Sequence, residues 1–197
     1  MARKVQIGKE IILDVAFQML LEEGYTGINI TSLAKRIGCS TQPIAWHFGN
    51  MDGLRTELLD YALNFLKDLF TVQGEGSTNI LDGIAAGYIN LAVDYPNLYK
   101  YLYMMEQDGQ KIAEVVQSLR AVNQDKVIQM IESELGISKK SAEEYLLNLQ
   151  IYVHGIAVFA ITKVACPSKK VMMNMVHNAN MAFLNQVKSK EGKNEDC

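Results

Sequence analysis

Histidine, cysteine and proline are scarce in this 197-residue chain, three of each. The cysteines, Cys39, Cys166 and Cys197, are widely spaced and odd in number, and no CxxC pair occurs. Neither a disulfide framework nor a zinc site is expected from them. Cys39 reads as a small buried or half-buried thiol rather than a redox switch. The histidines, His47, His154 and His177, fall on different predicted helices. There is no nucleophile elbow, phosphate loop, HExxH or paired-carboxylate motif, so the chain is not expected to be an enzyme, and no cofactor or metal is expected. Long apolar runs are missing too. The longest, "IYVHGIAVFAITKVAC", contains His154 and Lys163 and falls short of the roughly 18 residues that suggest a membrane span. The N-terminus lacks the apolar core of a secretory signal. A cytoplasmic protein without a membrane partner is the expectation.

An excess of positive charge is also absent. The formal net charge is −3, and up to residue 53 five Lys or Arg face five Asp or Glu. Bulk charge therefore does not announce a nucleic-acid partner. Contact with DNA would have to be local and geometric.

What is present is helical periodicity. Hydrophobic residues make up 49% and charged residues 21%, enough to fill a core. With few prolines and no Gly/Ser linker, the pattern predicts an all-α chain of about nine helices. Residues 9–23 carry Ile12, Leu13, Ala16, Phe17, Leu20 and Leu21 on one face, and Gly24 follows as a helix end. After the connection "YTGINI", Thr31 is placed to cap a helix over 31–37, which Gly38 ends. Ser40 can cap the next, 41–47, with Pro43 at its third position. Asn50 can cap a long helix over about 51–71, and "TVQGEGST" reads as a loop. Further helices are expected near 78–94, 96–108, 110–134, 138–165 and 168–189. Pro96 suits a first turn, and Ser168 can cap the last helix. The tail "KSKEGKNEDC" is charged and expected to fray.

The stretch "ITSLAKRIGCSTQPIAWHF", residues 30–48, holds the strongest pattern. Ala34, Gly38 and Ile44 stand at relative positions 0, +4 and +10, as a helix-turn-helix requires. A small residue lets two helices approach, a glycine turns at positive φ, and a branched residue locks the second helix on the first. Thr41, Gln42, Ala45 and Trp46 are then left facing outward. Such a helix enters the major groove by its N-terminal end. Gln42 can pair with an adenine edge, and Thr41 with a base or a thymine methyl. Thr31, Ser32, Lys35, Ser40, Trp46 and His47 lie where phosphate contacts are needed. A plain helical hairpin with a glycine turn is the simpler alternative for these residues alone.

This stretch, with "LLEEGYTGINI" before it and "NMDGL" after it, resembles the tetracycline-repressor (TetR) family of bacterial transcription regulators over the first ~60 residues. The resemblance implies an all-α homodimer. Residues 1–50 would form a three-helix DNA-binding head, 51–190 an effector-binding and dimerisation body, and 191–197 a charged tail. Beyond residue 60 the likeness is architectural, although "YVHGIAVFA" is similar to a segment of the family's dimer-bundle helices. Two departures stand out. The family usually carries a tyrosine where Ala45 stands and often a lysine where Met51 stands, both for phosphate. Trp46 can take over the aromatic role through its indole N–H.

In the body, Tyr88, Tyr99, Tyr103, Met104, Tyr152 and Phe159 are candidates to line an apolar effector pocket with a few orienting hydroxyls. Each also suits an ordinary core position. Val153, Ile156, Met172, Met175, Val176, Ala179 and Phe183 form stripes on the last two helices and are candidates for a dimer interface. The leading expectation is a repressor that leaves a palindromic DNA operator when a small, largely apolar effector binds. The alternative is a helical small-molecule binding protein whose head has weakened or lost DNA binding.

Overall fold

The computed structural model describes residues 7–74, 80–104, 125–165 and 167–195. These form α1 (Lys9–Glu23), a 3-10 turn (Tyr25–Gly27), α2 (Ile30–Ile37), α3 (Gln42–Phe48), α4 (Met51–Gly74), α5 (Ile80–Asp94), α6 (Pro96–Tyr103), α7 (125–135), α8 (Lys139–Thr162) and α9 (Lys169–Glu195). Among the described residues there is no strand, and the fold is all-α. Residues 71–74 of the expected loop "TVQGEGST" are helical instead, since α4 continues to Gly74, and 75–79 lie outside the described residues. Most of the helix expected over 110–134 also lies outside them, as do Cys166 and Cys197. α9 runs on to Glu195, past the end expected near 189.

Two caps differ from expectation. Asn29, not Thr31, caps α2, because its side chain accepts the Ser32 amide at 2.9 Å while the Ser32 hydroxyl accepts the Asn29 amide at 3.0 Å. This reciprocal box satisfies two amides at once, which Thr31, two residues later and already inside the helix, cannot do. Ser40 does not cap α3. Thr41 stands at its N-cap without a side-chain bond, and Pro43 occupies the first turn, where no intrahelical N–H is needed. Asn50 caps α4 as expected, its Oδ1 accepting from the amides of Asp52 at 2.9 Å and Gly53 at 3.1 Å.

The described helices fall into two compact units. The first holds α1 to α3, most of α4, and α6. Ile12, Ala16, Leu20, Leu33, Ile44, Leu54 and Leu58 are wholly enclosed there, each large aliphatic contributing about 1.5–3 kcal/mol through burial. α1 and α4 are joined by aromatic packing, with Phe17 5.0 Å from the rings of both Tyr61 and Phe65. Polar links add to it, Lys9 to Glu57 at 2.5 Å and Tyr61 to Asp14 at 2.6 Å.

The second unit packs Ile89 of α5 and Ile131 of α7 with Tyr145, Leu149 and Val153 of α8 and Met172, Val176 and Val187 of α9. Its buried Asn180 accepts the Tyr145 hydroxyl, so the amide oxygen does not bear the cost of an unmatched polar atom. α8 is long and apolar enough to cross a membrane by length and composition. One face of it forms the core of this unit through Ala142, Tyr145, Leu146, Leu149, Val153 and Ile156.

Candidate nucleic-acid interface

The geometry of α2 and α3 follows from a few residues. Gly38 sits at φ 78° and ψ 33°, a left-handed conformation that costs other residues about 1–2 kcal/mol. It allows the amides of Gly38 and Cys39 to return to the Ala34 carbonyl, each at 3.0 Å, which closes the helix end. The chain then reverses and α3 packs on α2, with Ile44 and Phe48 of α3 and Leu33 and Ala34 of α2 all buried. The turn into α4 is equally tight. The Asn50 amide donates to the Phe48 carbonyl at 2.8 Å, and a Cβ at Gly53 would come within 2.1 Å of that oxygen.

With Ile44 and Phe48 inward, the rest of α3 faces out. Thr41, Gln42, Ala45 and Trp46 are exposed, Trp46 by 71%. Ser40, Lys35 and Thr31 are exposed beside them. His47 is half-buried, its ring 4.6 Å from Trp46 in an edge-on contact and its Nε2 3.0 Å from the Ile7 carbonyl oxygen. Ser32 is the exception among the expected phosphate ligands. Its hydroxyl is held inside the first unit by the Asn29 box and donates to the Gly27 carbonyl at 2.8 Å. Arg36 is turned to α1, pairing with Glu22 and with Glu23 at 2.9 Å. The Glu22 bond, with Glu23 adding to it, holds the guanidinium more firmly protonated than usual.

Sequence reasoning missed Asn29 and the link from α3 back to Ile7. The spacing Asn-Ile-Thr-Ser is itself a cap-and-return signature. The His47 link joins residues 40 apart and leaves no local pattern.

The residues expected to meet an effector lie in both units. Tyr99 is wholly enclosed in the first, its ring 4.8 Å from Tyr103, and Met104 is 40% exposed. In the second, Tyr88 and Tyr152 border the core, Tyr152 lying 6.1 Å from the Phe183 ring, and Phe159 is 52% exposed. Of the residues expected at a dimer interface, Val153, Ile156, Met172 and Val176 are already buried by their own chain. Ala179 and Phe183 are half-buried, and Met175 is exposed. The apolar surface left uncovered is a second face, Leu147, Ile151 and Phe159 on α8 with Val171, Met175 and Met181 on α9.

Comparison with known proteins agrees with this arrangement. A family model for bacterial regulatory proteins of the tetR family matches residues 12–58, from within α1 to the first third of α4. An uncharacterized HTH-type transcriptional regulator, YobS of Bacillus subtilis (strain 168), is 23% identical over 161 residues, covering 80% of this chain and 81% of the relative. Among solved structures, a TetR-like transcriptional regulator from Rhodococcus sp. RHA1 shares the fold with a TM-score of 0.68 at 15% identity, covering 94% of this chain and 98% of the other. A TetR variant from Acinetobacter baumannii AYE, solved in complex with minocycline, does so at 0.57 and 17%, covering 94% and 97%. The family comprises regulators and not enzymes. Residues 12–58 form a DNA-binding domain of the tetR family, and over most of its length the chain is similar to a transcriptional regulator.

Proposed function

We propose that this regulator is a homodimeric repressor that binds a palindromic operator and leaves it when a small, largely apolar effector binds. The carrying observation is the exposure of Thr41, Gln42, Ala45 and Trp46 on a helix whose opposite face is buried. Thr41 and Gln42 stand at the end of α3 that enters a major groove. Thr31, Lys35 and Ser40, exposed nearby, and the half-buried His47 are suited to phosphates. Ser32 serves them indirectly by fixing α2.

The uncovered face of α8 and α9 supports the dimer. Leu147 and Ile151 are one helical turn apart, as are Val171 and Met175, and single chains rarely leave such a stripe in water. Two heads related by a two-fold axis would read half-sites about one helical turn apart, or a multiple of it. The minocycline held by the Acinetobacter protein supports a small-molecule effector here. Tyr88 and Tyr152, half-buried beside the second core, are the residues proposed to meet it. The effector must bind the DNA-competent and released conformations unequally, or it shifts nothing. Action on DNA places the protein in the cytoplasm.

Selection from random duplexes at moderate salt tests the proposal. An enriched, two-fold-symmetric site is expected. Ala45 and Met51, lacking the family's usual phosphate groups, favour a second reading, a small-molecule binding protein with a weakened head. A selection that enriches nothing supports that reading and counts against the first.

A further inference from the structure

Neighbouring side chains on a helix point about 100° apart and do not ordinarily face each other. Trp46 and His47 of α3 are an exception. Their ring centres are 4.6 Å apart at an interplanar angle of 67°, the arrangement of an edge-to-face pair. Among the described residues His47 is the one ring in contact with Trp46. The indole is otherwise left to solvent, 71% exposed, and it belongs to the chain's only tryptophan.

His47 is itself held from the other side. A carbonyl oxygen can only accept, so the 3.0 Å approach to Ile7 means that Nε2 carries the proton and donates it. That bond ties the ring to the residue two positions before α1. Buried Phe48 lies 6.2 Å from the same ring. Lys9 of α1 stands 5.8 Å from the Phe48 ring centre and pairs with Glu57 of α4. The imidazole is therefore fixed where α1, α3 and α4 come together. α3 needs such fastening. It has only seven residues, and Thr41 gives it no side-chain cap, so it is too short to hold its shape alone.

We propose that His47 is a positioning residue for DNA binding: fastened to the Ile7 carbonyl, its ring holds the Trp46 indole in one orientation on the DNA-facing side of α3. This role rests on the reading of α3 as the DNA-facing helix. It is distinct from a phosphate bond made by His47, because its effect passes through Trp46. An exposed side chain that samples several rotamers loses that freedom when it binds. One already held in place loses less, which is worth about two- to tenfold in affinity for a single large side chain.

The test joins tryptophan fluorescence to a double-mutant cycle, both on the full-length chain. With no other tryptophan present, time-resolved anisotropy follows the picosecond-to-nanosecond motion of this indole alone. In DNA-free protein, His47→Ala and His47→Gln should both enlarge the fast local component. Gln carries an amide N–H that can still donate to the Ile7 carbonyl, so it keeps the fastening while removing the ring, and guards against loss of the fold. Affinity is measured on the duplex enriched in the selection above. Either substitution should weaken binding about two- to tenfold for each head bound, and should have no effect in a Trp46→Ala background. Unchanged anisotropy in both variants overturns the proposal. An equal loss of affinity in both backgrounds also overturns it, since His47 would then meet the duplex directly or merely support the head. If the wild type selects a duplex and the cycle shows no coupling, this inference fails alone. If the wild type selects none, the reading of α3 fails with it.

Discussion

Asn29 sets where α2 begins. Its Oδ1 accepts the Ser32 amide, and Ser32 returns the bond, so the helix starts with two of its orphan amides satisfied. Thr31 is exposed in the first turn and takes no part in that box. Asn29→Ala should cost about 1 kcal/mol of folding stability, and Thr31→Ala no more than about 0.5 kcal/mol, in urea unfolding. The opposite order would mean that Thr31 is the cap. Thr31 satisfies the same residue preference as Asn29, and only the position of the first helical residue separates the two. That position depends on where the preceding 3-10 turn delivers the chain, which no local pattern records. Gly38 was legible for the opposite reason, since a reversal at positive φ admits few residues other than glycine.

At the scale of the element, α6 shows which kind of information is missing from a sequence. Pro96 and the spacing of Leu98, Tyr99 and Leu102 mark a helix, but they do not say what it packs on. In the structure Asn97 donates to the Leu21 and Glu22 carbonyls at 3.0 and 3.2 Å, covering the C-terminal end of α1. Tyr101 is buried with its ring 5.0 Å from Tyr25, which lies under Arg55 at 5.8 Å. These contacts span 30 to 76 residues of sequence, whereas the stripes of α1 and α4 could be read because helical periodicity is local. Burial pushes both the Tyr101 and Tyr25 hydroxyls above their ordinary value of 10.0. A raised tyrosine favours the neutral folded form. Its contribution is complete below pH 10 and declines as pH rises through the folded values. The first unit should therefore lose stability as pH rises from about 10 toward 12, by at most about 1.4 kcal/mol per pH unit for Tyr101. Tyr101→Phe should flatten that fall in urea unfolding followed over this range. An equally steep fall in the variant would remove Tyr101 from the explanation.

At the scale of the molecule, the sequence stripes on α8 and α9 were real, but each helix has two apolar faces. Val153, Ile156, Met172 and Val176 serve the chain's own core, while Leu147, Ile151, Phe159, Val171, Met175 and Met181 remain uncovered. Periodicity shows that a face is apolar without saying whether the same chain or a second copy covers it. Ile151 is 64% exposed, so Ile151→Glu should leave helix content intact and shift the sedimenting species toward the 22.0 kDa monomer. A stable dimer in that variant would place the interface elsewhere. In the proposed function the exposed leading end of α3 reads bases. Its most direct test is to repeat the duplex selection with Gln42→Ala. The predicted result is loss of preference at one base pair in each half-site, about 1–3 kcal/mol of discrimination, with the two-fold spacing kept. An identical selected sequence from both proteins would contradict it.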